Sequence, residues 1–153
     1  MRISAKADYA VRAAAELAVS DRGQPMKAEQ IARAQGIPLK FLLNILNELK
    51  LGRIVQSHRG AQGGYSLARA PESITLAEVI RAVEGPLANV HESYPEELHY
   101  QGAAVPLRDV WIAVRASLRA VLERVTLADL ASGTLPPVVQ SMVSDPDAWE
   151  VRR

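Results

Sequence analysis

Apolar residues recur at three- and four-residue intervals in several segments of this chain, and glycine or proline separates most of these segments. This spacing is typical of amphipathic helices. Two shorter runs, 54–57 and 65–67, have a β-type pattern and flank a loop that contains three glycines. We therefore expect a mainly α fold with a small β-hairpin. Helices are predicted at 1–19, 28–35, 38–51, 76–84 and 107–125, then a short helix capped by Thr126 and ending at Gly133, and an amphipathic piece at 138–143.

The segment 28–69 organises the rest of the chain. Gly36 is suited to the position just past a helix end, where φ is positive, and Pro38 to the start of the next helix. The two residues between these helices leave room only for a sharp corner. Helix, corner, helix and glycine-tipped hairpin together predict a winged helix-turn-helix. In such a unit the second helix enters the major groove of double-stranded DNA.

The second helix of this pair has two different faces. An apolar stripe is predicted to be buried, and it comprises Phe41, Leu42, Ile45, Leu46 and Leu49. Lys40 and Asn44 lie away from it, four residues apart and so on one face. Lys40 can donate to guanine O6 and N7 or to a phosphate, and Asn44 can pair with adenine N6 and N7. The alternative for Asn44 is a surface position without a base contact.

The loop at 58–64 is the predicted wing. Arg59 at its tip can enter a narrow, electronegative minor groove. The alternative is an ordinary glycine-rich hairpin whose arginine points into solvent. A nucleotide-binding loop is disfavoured, because the chain has no Gly-Lys-Ser/Thr and no G-x-G-x-x-G between a strand and a helix.

Three segments carry a family resemblance: MRISAKADYAVRAAAELA, IARAQGIPLKFLLNIL and RGAQGGYSLAR. They resemble the Rrf-two (Rrf2) family of bacterial regulators, of which IscR, NsrR and CymR are familiar members. The similarity is strong over 1–85 and weaker to about residue 130. It implies a homodimer that binds a palindromic operator and usually represses.

The resemblance also implies which residues contact DNA. The base-reading positions correspond to Pro38, Lys40, Leu43 and Asn44, of which Pro38 and Leu43 have no side-chain hydrogen bond to offer. The operator of better-known members therefore does not transfer. The wing contributes Arg59, Gly60, Gln62 and Gly63. Candidate phosphate contacts are Lys27 and Gln30 by fold analogy, and Arg2 and Lys6 at the start of the first helix; the alternative for the last two is solvated surface charge.

The formal net charge of +1 conceals an asymmetry between the two halves of the chain. Residues 1–70 hold 11 Lys and Arg against 5 Asp and Glu, a net +6, whereas 71–153 hold 7 against 12, a net −5. A basic half that coincides with the predicted helix-turn-helix is typical of a DNA-facing unit. The alternative is a chance clustering of surface charge.

The segment 86–106 is a polar connection in the position of a sensor loop. In cluster-binding members of the family, this connection carries three cysteines that hold an iron–sulfur cluster, and this chain has no cysteine. His91 and His99 are weak candidates for a metal site, because imidazole binds zinc or iron(II). Such clusters almost always need thiolates, so no cofactor is predicted.

The predicted helix 107–125 is too long for a small winged domain to cover. With about 19 residues it would extend roughly 28 Å. We interpret it as the dimerisation helix, with 107–133 as helix and cap and 134–153 as a C-terminal tail that frays over 145–153. The alternative is a helix folded back on its own domain. The predicted interface comprises Val110, Trp111, Val114, Leu118 and Val121.

Composition restricts the remaining functional classes. The length of 153 residues suits one domain with a dimerisation extension, and without cysteine there are no disulfides and no thiol catalysis. Without a run of 18 apolar residues or a signal peptide, we expect a soluble, cytoplasmic protein without a membrane partner. The three histidines have no neighbouring nucleophile pattern, which disfavours an enzyme. The alternatives are a regulator with a protein partner, such as the co-repressor enzyme of CymR-like relatives, or one with a small-molecule or metal effector near 89–106.

Overall fold

The computed structural model describes residues 1–20 and 23–153. The sequence also predicts a turn over 21–25, and residues 21 and 22 of that segment lie outside the described residues. Short 3-10 turns occur at Pro71–Ser73, Pro95–Glu97, Gly102–Ala104 and Pro146–Trp149. The helices and strands, in chain order, are α1 (Ala5–Val19), α2 (Ala28–Gln35), α3 (Leu39–Leu51), β1 (Val55–His58), β2 (Gly64–Leu67), α4 (Leu76–Glu84), α5 (Leu107–Leu122), α6 (Leu127–Ser132) and α7 (Pro137–Ser144).

Local caps determine several helix ends. The Ser4 hydroxyl accepts from the Ala7 amide at 3.0 Å, so α1 begins at Ala5 rather than at residue 1. Thr75 and Thr126 form capping boxes at the starts of α4 and α6. Gly36 ends α2 with φ of 61°, in the left-handed region that glycine tolerates.

The core forms where α1, α3 and α4 meet. Ala10, Ala13 and Ala14 of α1 are fully buried, and these small side chains let the neighbouring helices approach closely. The buried stripe of α3 agrees with the prediction at Leu42, Ile45, Leu46 and Leu49.

Phe41 departs from the predicted stripe, because its side chain is 53% exposed. It lies at the edge of the apolar face of α3. There its ring packs edge-on against Tyr9 of α1, with centroids 6.3 Å apart and planes at 81°. The prediction of burial was therefore wrong at this position. Helical spacing defines the apolar face but not how far the neighbouring helix covers it.

The chain after α5 returns to this core. The helix predicted over 107–125 ends at Leu122, three residues early, and Val125 is buried. The Leu76 amide donates to the Val125 carbonyl at 2.9 Å, and the Leu127 amide donates to the Ile74 carbonyl at 3.0 Å. Leu127 is fully buried and α6 packs on α1. The backbone pairing with the start of α4 thus takes residues that would otherwise continue α5.

The hairpin is a two-stranded antiparallel sheet in which Val55 pairs with Leu67 and His58 with Gly64. Backbone hydrogen bonds between Met26 and Tyr65 attach it to the residues that precede α2. The strands extend one residue further toward the loop than the apolar runs predict, because backbone pairing continues past the last apolar side chain.

The C-terminal half is more open than the core. Every residue of α5 remains at least partly exposed. The tail predicted to fray over 145–153 contains the 3-10 turn Pro146–Trp149, and the Trp149 indole N–H donates to the Val143 carbonyl at 2.7 Å. Within the described residues, we find no helix long and apolar enough to cross a membrane.

Candidate nucleic-acid interface

The outer face of α3 presents the predicted base-reading positions to solvent. Pro38 occupies the N-cap, and Lys40 and Asn44 are exposed one turn apart. Leu43 is 44% exposed although it is apolar. A half-exposed leucine beside two hydrogen-bonding side chains forms a mixed surface. Such a surface suits contact with base edges and with thymine methyl groups.

The wing loop presents Arg59, Gly60 and Gln62 to solvent, whereas Gly63 is buried. The Gly63 amide donates to the Gly60 carbonyl at 3.0 Å. A Cβ atom on Gly63 would lie 2.4 Å from the His58 carbonyl oxygen. Gly63 therefore shapes the loop, because a larger residue would force the turn open and displace Arg59. Gly63 would therefore contribute to the predicted DNA contact by fixing the backbone of the loop.

A polar cleft of about 620 Å³ separates the start of α2 from the wing. It brings together four predicted residues that are far apart in sequence: Lys27, Gln30, Gln62 and Gly63. Gln30 also accepts from the Lys27 amide at 2.9 Å and so caps α2. Backbone amides at a helix N-terminus and nearby cations favour phosphate oxygens.

Arg33, which was not predicted as a contact residue from the sequence, also lines this cleft. It follows Gln30 by three residues and so lies on the same side of α2, which is the signal that could have identified it. Glu29 contributes a carboxylate to the cleft and offsets part of the positive charge.

The two basic residues near the N-terminus lie in different surroundings. Lys6 Nζ is 2.9 Å from Glu48 Oε2 on α3, so Lys6 is ion-paired. Arg2 lies beside a mainly apolar groove of about 460 Å³ that Glu84, Leu118 and Leu122 also line. The structure therefore pairs Lys6 with α3 and places Arg2 beside the apolar groove.

The segment that leaves the wing is held by an ion pair between Arg69 and Glu78. Arg69 Nη2 is 2.8 Å from Glu78 Oε1, and Glu78 Oε2 accepts from the Thr75 amide at 2.9 Å. Partial burial alone would raise the pKa of Glu78, but the hydrogen bond from Thr75 and the Arg69 guanidinium outweigh it and lower that pKa. The carboxylate form of Glu78 thus connects the wing exit to α4.

The connection before α5 folds onto that helix rather than extending into solvent. Arg115 Nη1 lies 2.6 Å from Glu96 Oε2, with only 12% of the Arg115 side chain exposed. The Trp111 indole N–H donates to the Tyr100 hydroxyl at 3.1 Å. A backbone hydrogen bond at Glu96 and the Arg115 guanidinium lower the pKa of Glu96. This loop therefore already engages one predicted interface residue, Trp111, and Arg115, which is adjacent to another, Val114.

Three comparisons identify relatives of the chain. The model of the Rrf2 family, described as iron-dependent transcriptional regulators, matches residues 3–133. A Mycobacterium tuberculosis protein, Rv1287, which is named among HTH-type transcriptional regulators, is 49% identical over all of this chain and 95% of its own length. CymR of Bacillus subtilis is 34% identical over 88% of this chain and 92% of its own length.

Solved structures give the same fold. The structure of CymR, the global cysteine regulator of B. subtilis, superposes with a TM-score of 0.74 at 33% identity, over 88% of this chain and 98% of that one. IscR of T. potens gives a TM-score of 0.71 at 29% identity, over 100% of this chain and 94% of that one. The winged helix-turn-helix prediction is confirmed by these neighbours.

The family is described as iron-dependent, but this chain lacks the cysteine ligands that an iron–sulfur cluster needs. None of its 153 residues is cysteine. His91 and His99 are exposed, and Glu96 is paired with Arg115. Among the residues that the structure describes, no group of three or more His, Asp or Glu is arranged to hold a metal ion. The donor set therefore does not fit an iron–sulfur cluster.

Proposed function

The chain belongs to the Rrf2 family of transcriptional regulators, and we propose that it binds operator DNA through α3 and the wing without an iron–sulfur cluster. The observation that carries this proposal is the wing-to-α2 attachment. Backbone hydrogen bonds between Met26 and Tyr65 hold the wing beside the start of α2, and the polar cleft lies between the two. The next helix, α3, exposes Lys40 and Asn44. Helix pair and wing can then engage the duplex as one rigid surface.

In this proposal each part of the surface has its own task. Lys40, Leu43 and Asn44 read base edges in the major groove, and Arg59 enters a flanking minor groove. Lys27, Arg33 and the wing backbone at 60–63 hold phosphates on either side of the α2 cleft. Arg2 and Lys6 add phosphate contacts at the start of α1. Phosphate contacts supply affinity and base contacts supply sequence preference.

We further propose that the protein is a homodimer that represses from a palindromic operator. Support comes from α5, where Val110 is 49% exposed and every other residue also retains exposed surface. Val110, Trp111, Val114, Leu118 and Val121 would pack against the same helix of a second copy. A two-fold dimer places two α3 helices in successive major grooves, which requires a palindrome. The unit 1–85 would bind DNA and 107–133 would support the interface.

The experiment that tests the function is selection of bound sequences from random duplex DNA, with protein stripped of metal by a chelator. Enrichment of a palindrome is the expected result, because two-fold symmetry in the protein is mirrored in its site. A variant with Lys40, Asn44 and Arg59 changed to Ala serves as the control and should enrich nothing. If the wild-type protein enriches a palindrome only after iron is added back, the cluster-free proposal fails.

A second candidate places an effector or a protein co-regulator at the connection 89–106. The observation that favours it is the pair of contacts from Glu96 to Arg115 and from Tyr100 to Trp111, which couple the loop to α5. A ligand that pulls the loop away would alter the face proposed for dimerisation. Glu96→Ala should then change the dimer dissociation constant, whereas Glu92→Ala, another exposed carboxylate of the same connection, should not.

A further inference from the structure

A carboxylate on the proposed recognition helix is paired with one of the lysines proposed to contact DNA. Lys6 Nζ on α1 lies 2.9 Å from Glu48 Oε2 on α3. The Glu48 oxygen that faces Lys6 is itself buried, although about a third of each side chain remains exposed. The ammonium group therefore has one close, shielded counter-charge rather than a fully hydrated environment.

The pair borders the surface proposed to face DNA. Glu48 follows Asn44 by one helical turn, so the two side chains lie on neighbouring positions of α3. Lys6, Asn44, Asn47 and Glu48 line the same cavity of about 380 Å³ between α1 and α3. A duplex that contacts Asn44 would therefore bring its phosphates close to this pair.

We propose that Glu48 is a specificity-determining residue that withholds Lys6 from DNA phosphates unless the protein is seated on its operator. This inference rests on the proposed DNA-binding function. Non-specific binding depends on cations that replace counterions at phosphates, and a lysine neutralised by a carboxylate contributes little to it. The Glu48 carboxylate also repels a nearby phosphate. On the operator, base contacts from α3 hold a phosphate in place long enough for Lys6 to exchange partners.

The test compares affinities for a random-sequence duplex and for the selected palindrome across a salt series. Glu48→Gln should bind the random duplex about three- to eightfold more tightly at 0.1 M salt, because one added phosphate contact increases the logarithmic salt slope by about 0.9. Binding to the palindrome should change less, so the ratio of specific to non-specific affinity should fall. Glu72→Gln, an exposed carboxylate outside the interface, removes the same charge and should leave both affinities unchanged.

A Lys6→Gln background shows whether Glu48 acts through Lys6. In Lys6→Gln, the further change Glu48→Gln should no longer raise the affinity for random DNA. A gain that persists there, or an unchanged salt slope in Glu48→Gln, overturns the inference. A new preferred sequence in Glu48→Gln with an unchanged salt slope also overturns the inference, because Glu48 would then be a base reader. A lower melting temperature as the only effect overturns it too, because the pair would then be structural.

Failure of the inference differs from failure of the function. If wild type binds DNA with a steep salt dependence and Glu48→Gln behaves identically, only the inference is overturned. If neither wild type nor variant binds the random duplex or any selected sequence, the proposed DNA-binding function fails, and the inference fails with it.

Discussion

Met26 and Tyr65 bind each other through two backbone hydrogen bonds, from the Met26 amide to the Tyr65 carbonyl at 2.8 Å and from the Tyr65 amide to the Met26 carbonyl at 2.7 Å. This pairing joins the segment just before α2 to the second strand of the wing. Hairpins of two strands are only marginally stable alone. The wing therefore owes its orientation to the helix-turn-helix that it accompanies.

Substitution of Gly64 should break this attachment. Gly64 has φ of 144°, and a Cβ atom there would lie 2.4 Å from the Met26 carbonyl oxygen. We expect Gly64→Ala to destabilise the protein by about 1–3 kcal/mol, the usual range for backbone strain. The measurement is thermal unfolding. Gly133→Ala is the matched control, because Gly133 also has positive φ, at 73°, but a Cβ there meets open space. Equal losses in both variants would contradict the argument from the clash.

Removal of the wing arginine should weaken operator binding. Arg59→Ala is expected to lose about 1–3 kcal/mol, the usual scale of one specific groove contact. The measurement is titration of the selected palindrome at fixed salt. Arg153→Ala removes the same charge from the exposed C-terminus and should have no comparable effect. If Arg59→Ala binds the palindrome as tightly as wild type, the wing does not enter the groove.

A charge on the proposed dimer face should dissociate the protein. Val110→Asp is expected to weaken self-association at least about tenfold, because burial of an unpaired carboxylate costs more than about 1.4 kcal/mol. Sedimentation at several concentrations measures the effect. The control is Ala116→Asp, which places the same carboxylate on the opposite, exposed side of α5. A wild-type protein that is monomeric at micromolar concentration would refute the dimer-helix interpretation.

The capping carboxylate of α4 should make part of the stability dependent on pH. The folded-state pKa of Glu78 lies below its ordinary value of 4.5, so its contribution is present above that value and is lost as the pH falls through the folded-state pKa. We expect the melting-temperature difference between wild type and Glu78→Gln to be constant near neutral pH and to shrink in acid. A difference between wild type and Glu78→Gln that is independent of pH would show that the ionised form contributes nothing.

Several features could be predicted because local chemistry determines them. Gly36, Thr75 and Thr126 delimit helices through backbone geometry and side-chain caps, which involve residues at most a few positions apart. The wing motif also appeared in the sequence, because its glycines serve a turn within the same segment. For these features the structure agrees with the pattern to within a residue or two.

The sequence predicted which residues belong to the candidate site but not which of them lie close together. Lys40, Asn44 and Arg59 are exposed as the pattern predicts. Arg33 was missed although it follows Gln30 by three residues on α2, because only the folded structure places the wing beside that side of the helix. Lys6 was expected to be free for phosphate, and its pairing with Glu48 depends on how α1 packs across α3.

The sequence by itself determined the order and nature of the elements, the absence of thiolate ligands and the basic character of the first half. These properties follow from residue identity and from interactions over one or two turns. Only the tertiary structure decided that Phe41 stays exposed, that α6 returns to the core and that Glu48 holds Lys6. Each of these depends on contacts between elements distant in sequence, whose packing geometry no periodic pattern along a single element encodes.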